Sequence, residues 1–265
     1  MSAFIDTASA SSTASSAPRP MAITITGLEH RYNTTASPVL SGLDLSVADG
    51  EFLCIVGASG CGKTTLLHLM AGLGEPSSGT IDLGGRQTSL MFQEHALFSW
   101  LTAQRNVELA LKLSGVRDRR ERSARALELL ATVRLESHAD RRPHELSGGM
   151  RQRVALARAL AQDATILLMD EPFGALDAMT RDLLHDELER VWQERQLSIV
   201  FVTHNVREAA RLGDRIILLG SRPGRVLSEF QVPIDRPRRI ESPDVSALAA
   251  EVTAALRTEV SRHGH

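Results

Sequence analysis

The stretch that decides the fold is FLCIVGASGCGKTTLLHLMAGL, residues 52–73. It begins with a continuous apolar run, which predicts a strand covered on both faces. It continues with G-x4-G-K-T and ends in a helical pattern, the context that a phosphate-binding loop requires. The glycines let backbone N–H groups curl around phosphate oxygens, and the helix N-terminus adds the positive end of its dipole. The alternative is a glycine-rich turn before an ordinary helix, which this strand–loop–helix order disfavours.

The loop supplies the predicted nucleotide-binding residues. Lys63 provides a point charge for the β- and γ-phosphates, and the Thr64 hydroxyl can ligate Mg²⁺. Nucleotide binding is predicted for nine consecutive residues: Gly57, Ala58, Ser59, Gly60, Cys61, Gly62, Lys63, Thr64 and Thr65. Cys61 is expected to be a reactive thiol, because Lys63 and a helix N-terminus favour the thiolate. The alternative is that Cys61 packs against the sheet.

A pair of carboxylates follows a second apolar run. TILLM (165–169) leads into Asp170 and Glu171, at the strand end where open α/β sheets place ligands. Asp170 is suited to holding Mg²⁺, partly through water. Glu171 is placed to accept a proton from an attacking water as a general base. The pair favours hydrolysis, and a charged exit from the strand is the alternative.

The remaining patterns predict an α/β fold with a P-loop core. Continuous apolar runs at 198–202 and 215–219 join those at 52–56 and 165–169 in a mostly parallel sheet. Alternating residues at 22–26 and 43–47 predict antiparallel strands, with a short edge strand at 79–85. Residues 105–161 have almost no strand signals, so an inserted helical subdomain is expected at about 94–160. A helix at 178–195 is predicted to bury one face, made by Met179, Leu183, Leu184, Leu188, Val191 and Trp192.

The ends of the chain differ from this core. The Ser- and Ala-rich residues 1–20 are predicted to be a disordered tail, and the nucleotide-hydrolysing domain is expected to cover 21–232. Residues 233–265 are expected to be a C-terminal part, with a Pro- and Arg-rich connector at 233–243 and a helix at about 244–261. No apolar run approaches the ~20 residues of a membrane-spanning helix.

Composition excludes several classes of function. The net charge of −2 argues against a general nucleic-acid binder. The two cysteines, Cys54 and Cys61, have no second cluster near them, so neither a disulfide framework nor a zinc site is expected.

A second anion site is indicated by LSGGMRQR, residues 146–153. Ser147 is a good N-cap for the helix that follows, while Gly148 and Gly149 expose backbone N–H groups. The alternative is a capped helix with a flexible entry. Since the chain has one phosphate loop, a second phosphate-facing site suggests that two chains share nucleotide.

With these motifs the chain resembles the ATPase subunits of ABC transporters over about residues 22–230. LSGGMRQR is similar to their signature motif, ahead of a Walker B strand that ends in Asp170 and Glu171. Four further matches follow the family's order: Tyr32 resembles the adenine-stacking aromatic, Gln93 the Q-loop glutamine, Asp177 the end of the D-loop and His204 the switch histidine.

The resemblance implies a head-to-tail homodimer that binds ATP and Mg²⁺. ATP would lie between the phosphate loop of one subunit and Ser147, Gly148 and Gly149 of the other. Gln93 would contact Mg²⁺ or the attacking water, and His204 would contact the γ-phosphate. Asp177 would bridge the subunits.

The layout looks closest to the ATPases of nitrate, sulfonate and taurine importers. The supporting segments are 92–101, 202–209, 221–225 and 236–239. Such a subunit would work at the cytoplasmic face of the membrane with separate permease subunits and, indirectly, a solute-binding protein, without nucleic acid. Permease docking is expected at Leu97, Phe98, Trp100 and Leu101, with core packing as the alternative. Other hypotheses are a soluble ABC-type ATPase not coupled to transport, an importer ATPase for a different substrate and a nucleotide-dependent scaffold.

Overall fold

The computed structural model describes residues 20–33, 37–174, 176–221 and 223–263. The tail predicted at 1–20 lies outside these residues apart from Pro20. Ala175, which belongs to the predicted D-loop, lies outside them as well.

The strands form two sheets. The smaller sheet is antiparallel, in the order β2-β1-β4, and consists of β1 (Met21–His30), β2 (Leu40–Ala48) and β4 (Ser78–Asp82). The larger sheet has the order β5-β6-β7-β3-β8-β9. Its members are β3 (Phe52–Gly57), β5 (Thr88–Met91), β6 (Ile166–Asp170), β7 (Ser198–Val202), β8 (Arg215–Leu219) and β9 (Val226–Gln231). All neighbours in it pair in parallel except β8 and β9.

Seven α-helices of the described residues pack around these sheets. They are α1 (Lys63–Met70), α2 (Ala103–Leu113), α3 (Arg119–Thr132), α4 (Gly148–Leu160), α5 (Ala178–Arg195), α6 (Val206–Leu212) and α7 (Pro243–His263). Side chains at their N-caps accept backbone N–H bonds at the starts of α2 to α6, which fixes where these helices begin. None of the described helices is long and apolar enough to cross a bilayer.

The predicted fold class is confirmed: a mostly parallel sheet is combined with an antiparallel sheet and a helical insertion. The sequence did not reveal β5, since a strand of four residues gives too little pattern, or the antiparallel edge strand β9. The strands at the centre of the larger sheet separate two apolar clusters. Phe52 and Cys54 face one cluster, while Leu53 and Ile55 face the other, which explains the continuous apolar runs. The predicted domain limits at 21–232 and 233–265 stay a prediction.

The predicted apolar face of α5 is wrong in two positions. Leu184, Leu188 and Val191 are buried, but Met179 is 77% exposed and Leu183 is 51% exposed. At about 100° per residue, Met179 and Leu183 lie on the side of the helix opposite to Leu188. The sequence pattern joined two different faces, and only one of them packs on the sheet.

The Arg-rich connector fixes the C-terminal part to the core. The guanidinium of Arg238 is buried and donates to the carbonyls of Ile234 (2.7 Å), Gly213 (2.5 Å) and Val232 (3.2 Å). Arg236 stacks its guanidinium 4.5 Å from the centre of the Trp192 ring. These bonds satisfy backbone groups where α6 and β9 end, and so they hold the start of α7 in place.

Candidate active site

The phosphate loop connects β3 to α1 and is shaped by glycines. Gly60 and Gly62 have left-handed backbones, with φ of +76° and +99°, which side chains disfavour. A Cβ on Gly57 would lie 2.6 Å from the Leu219 carbonyl oxygen and 2.7 Å from the Cys61 sulfur. The N-cap Gly62 has no side chain to bond the first N–H groups of α1. These N–H groups are therefore suited to binding an anion.

Lys63 is folded back over the loop. Its Nζ donates to the carbonyls of Gly57 (2.9 Å) and Ala58 (3.1 Å), and the residue is 7% exposed. These partners are neutral, so the ammonium charge is not cancelled by them and is suited to attracting a phosphate.

The structure contradicts the expectation that Cys61 is a reactive thiol. Cys61 is 1% exposed and belongs to the core cluster beneath the antiparallel sheet. Burial raises the pKa of its thiol, and the nearby Lys63 charge only partly opposes this. Packing against the sheet, the alternative considered, is what the geometry supports. The side chain therefore contributes shape to the loop, and the Cys61 backbone N–H donates to the Ala58 carbonyl at 3.3 Å.

Asp170 and Thr64 meet at the carboxyl edge of the parallel sheet. Burial raises the pKa of Asp170, and a hydrogen bond with the Thr64 side chain opposes the rise. A hydroxyl and a carboxylate are oxygen ligands of the kind that Mg²⁺ prefers. The described residues hold no group of three His, Cys, Asp or Glu suited to a metal. A site that relies on phosphate and water oxygens for its remaining ligands fits Mg²⁺ well.

Glu171 follows Asp170 in a strained backbone conformation. Its φ is +43°, in the left-handed region that costs a residue with a Cβ about 1–2 kcal/mol. This turn directs the carboxylate to His204, and Glu171 Oε2 lies 2.9 Å from His204 Nδ1. Both side chains are accessible: 22% of the Glu171 side chain and 65% of the His204 side chain are exposed. A carboxylate paired with an exposed imidazole beside a phosphate loop can serve as a base for a water molecule.

Gln93 and Tyr32 lie at the margins of this centre. Met91 of β5 pairs with Met169 of β6, so the exposed Gln93 leaves the sheet at the same edge as Asp170. The Tyr32 hydroxyl bonds to Thr65 Oγ1 at 2.8 Å, and the residue is 66% exposed. An exposed aromatic ring beside the first turn of α1 is suited to stacking on a nucleotide base.

The second predicted anion site forms a separate cluster. Ser147 caps α4 by accepting from the Met150 N–H, and Asp177 caps α5 by accepting from the Thr180 N–H. A Cβ on Gly149 would lie 2.3 Å from Thr180 Cγ2, so this glycine lets the two helix starts approach closely. Among the described residues, the side-chain hydrogen bonds of Ser147 and Asp177 stay at these helix starts and do not reach the phosphate loop.

The profile of the ABC transporter family matches residues 40–174. A curated relative, the aliphatic sulfonates import ATP-binding protein SsuB 1 of Mesorhizobium japonicum, is 43% identical over 87% of this chain and 86% of its own length. The chain belongs to the ABC transporter family.

Further relatives of this ABC ATPase carry the names of other import systems. The taurine import ATP-binding protein TauB of Mesorhizobium japonicum is 43% identical over 87% of this chain and 92% of its own. The nitrate import ATP-binding protein NrtD of Synechocystis is 42% identical, over 82% and 88%. Among solved structures, the dimeric ATP-binding cassette MJ0796 in a post-hydrolysis state with ADP and Pi has a TM-score of 0.70 and 32% identity. The structural alignment covers 80% of this chain and 100% of the MJ0796 chain.

Sequence reasoning missed two contacts that shape the site of the ABC ATPase. Arg158 of α4 donates to the carbonyls of Ala96 and His95, and so it fixes the segment that follows Gln93. A Cβ on Gly224 would lie 2.3 Å from the Cys61 carbonyl oxygen, so this glycine lets the loop after β8 support the phosphate loop. The sequence around Arg158 and Gly224 has no pattern that predicts these contacts, because the partner residues are far away along the chain.

Proposed function

We propose that this ABC ATPase drives the import of a small solute through separate membrane subunits. The names of the sulfonate, taurine and nitrate relatives support a solute of this group, either one of these three or a related compound. The work of such a subunit takes place at the cytoplasmic face of the membrane, where a solute-binding protein acts indirectly through the permease. Nucleic acid has no part in this function.

Two chains would bind two ATP molecules in a head-to-tail homodimer. The phosphate loop and the Ser147–Asp177 cluster are separate, and each offers N–H groups at a helix start. ATP held by the loop of one chain would meet Ser147, Gly148 and Gly149 of the other, while Asp177 would bridge the chains. The dimeric MJ0796 cassette with ADP and Pi supports this assembly.

The observation that carries the catalytic proposal is the hydrogen bond between Glu171 and His204 beside the phosphate loop. Glu171 accepts a proton from the attacking water, and His204 orients the carboxylate and contacts the γ-phosphate. Lys63 holds the β- and γ-phosphates, and Tyr32 stacks on the base. Thr64, Asp170 and Gln93 would hold Mg²⁺, which when bound neutralises phosphate charge.

The permease is proposed to dock in a groove beside α2. The groove has a volume of about 510 Å³ and is lined by apolar side chains, among them Leu90, Phe92 and Leu113, and by polar ones such as Gln87 and Arg158. Of the four residues predicted for docking, Phe98 lines this groove, and Trp100 stands next to it with 68% exposure. Leu97 packs partly against the core, so for this residue the alternative of core packing fits better. A short amphipathic helix of a membrane subunit is the proposed occupant.

The catalytic proposal is tested by Glu171→Gln, which keeps the shape of the side chain and removes the base. Phosphate release should fall about 10²–10⁴-fold while ATP affinity is retained, and ATP should trap a dimer detectable by sedimentation. Glu194→Gln is the matched control, since Glu194 pairs with Arg190 at the exposed end of α5. Near-normal turnover by Glu171→Gln would show that the base is elsewhere.

The transport proposal needs a separate measurement. The tagged chain should copurify with a multispan membrane protein, and a strain that lacks the chain should lose uptake of one of the three solutes. A failure to retain any membrane partner contradicts the proposed coupling, and full uptake of all three solutes leaves only a related compound as the solute; both results leave the ATPase assignment intact.

A further inference from the structure

A polar cluster lies behind Glu171 and His204, on the side of α5 and α6 that faces the core. Its members are Arg181 and His185 of α5, Thr203 at the end of β7 and Glu208 of α6. Glu208 is 4% exposed and His185 is fully buried. Burying charged groups of this kind costs free energy unless well-placed partners compensate for the lost hydration.

Glu208 holds the residue that precedes the switch histidine. The Thr203 hydroxyl donates to Glu208 Oε2 at 2.6 Å, and Thr203 Oγ1 accepts from the backbone N–H of Asn205 at 3.0 Å. Thr203 and Asn205 flank His204 on both sides. The carboxylate of Glu208 therefore fixes the backbone from which the His204 imidazole projects.

Arg181 joins the same carboxylate to the loop that leads to Asp177. Its Nε lies 3.4 Å from Glu208 Oε1 and donates to the Phe173 carbonyl at 3.3 Å. Its Nη2 donates to the Leu176 carbonyl at 2.7 Å. A single guanidinium thus connects two backbone groups of this loop with Glu208.

His185 lies on the buried side of the cluster. Its Nε2 lies 3.6 Å from Glu208 Oε1, and its ring packs edge-on against Phe173 with centroids 5.2 Å apart. Burial raises the pKa of Glu208, while the Thr203 hydrogen bond and the Arg181 charge oppose the rise.

We propose that Arg181 and Glu208 are positioning residues, which link the loop before Asp177 to the placement of His204 against Glu171. This inference rests on the catalytic roles proposed for Glu171 and His204. Arg181 and Glu208 act through the residues on both sides of the Glu171–His204 pair, which they contact at the Phe173 and Leu176 carbonyls and at the Thr203 hydroxyl. Since Asp177 is proposed to bridge the subunits, the pair ties catalytic geometry to the arrival of the partner.

The test compares steady-state kinetics of Glu208→Gln and Arg181→Gln with those of the wild-type chain. Misplacement of a reacting group by about 1 Å costs about 10²-fold, so kcat should fall about 10–100-fold in both variants, with the KM for ATP changed less than about threefold. Arg190→Gln is the matched control, because Arg190 lies on the same helix and pairs with Glu187 and Glu194. It should keep the wild-type kcat.

A double-mutant cycle separates positioning from mere stability. If Glu208 acts through His204, adding Glu208→Gln to His204→Ala should lower kcat little further, since coupled residues are not additive. Additive losses, a wild-type kcat in Glu208→Gln, or an equal loss in Arg190→Gln would each overturn the proposal. If Glu208→Gln does not fold, Thr203→Val breaks the same hydrogen bond from its other end, and its kcat decides the matter in the same way. Wild-type hydrolysis that does not depend on Glu171 would instead refute the proposed catalytic site.

Discussion

The left-handed backbone at Glu171 predicts an inverted ranking of glycine and alanine at this position. With φ at +43°, a Cβ costs about 1–2 kcal/mol that glycine avoids. Glycine loses about 0.4–1 kcal/mol of this advantage through the greater freedom of its unfolded chain. Glu171→Gly should therefore have a free energy of unfolding about 0.5–1 kcal/mol above that of Glu171→Ala. Both variants lose the same bond to His204, so that contact cancels in the comparison.

The control is the same pair of substitutions at Glu128, an exposed position inside α3. There alanine should be more stable than glycine by about 1 kcal/mol, because glycine is a poor helix former. Urea unfolding of nucleotide-free protein measures the four free energies, and the ranking at 171 should be opposite to that at 128. An alanine variant as stable as the glycine variant at 171 would refute the strained conformation.

The same measurement bears on function. Both variants at 171 should lose hydrolysis as Glu171→Gln does, since neither has a carboxylate. A glycine variant that is more stable than the alanine variant and yet inactive would mean that the chain keeps a strained residue here for the sake of its carboxylate. Stability is often given up in this way at active sites.

Three further outcomes are expected. A maleimide should label Cys61 and Cys54 slowly in the folded protein and fast in urea, since both are buried, and mass-spectrometric mapping measures the rates; fast labelling of folded Cys61 would contradict its burial. Arg238→Met should lower the free energy of unfolding by about 3–5 kcal/mol in urea titrations, because buried carbonyls lose their donor; a loss below 1 kcal/mol would contradict the anchoring role. Tyr32→Ala should weaken ATP binding by about 1–3 kcal/mol in calorimetry, and Tyr32→Phe should not; equal losses would point to the hydroxyl bonded to Thr65.

The parts of the site that could be predicted have local signals. G-x4-G-K-T places Lys63 and Thr64 on a loop between a strand and a helix, and the run TILLM places Asp170 and Glu171 at a strand end. Each signal is contained in a few consecutive residues, and the parallel sheet brings the strand ends to one edge. The pairing of Thr64 with Asp170 follows from this topology.

The parts that escaped prediction depend on contacts between distant segments. Cys61 lies in a loop whose sequence favours a thiolate, but the packing of the antiparallel sheet buries it. Met179 matches the apolar pattern of α5, but its side chain is 77% exposed. Glu208 occurs in a segment that marks the importer group, yet its bond to Thr203 and its approach to Arg181 appear only when α5 and α6 are packed together.

The proposed positioning pair completes a continuous path from α4 to His204 within one chain. Gly149 of α4 lies against Thr180, and Leu176 lies against Gly148. The Leu176 carbonyl is held by Arg181, which meets Glu208, which in turn holds Thr203 beside His204. In the proposed dimer, the phosphates of ATP bound to one chain would attract the start of α4 in the other chain. That movement would act on Gly149, the first member of this path. The double-mutant cycle at Glu208 and His204 tests its last member, and coupling energy measured there is the evidence that such a path requires.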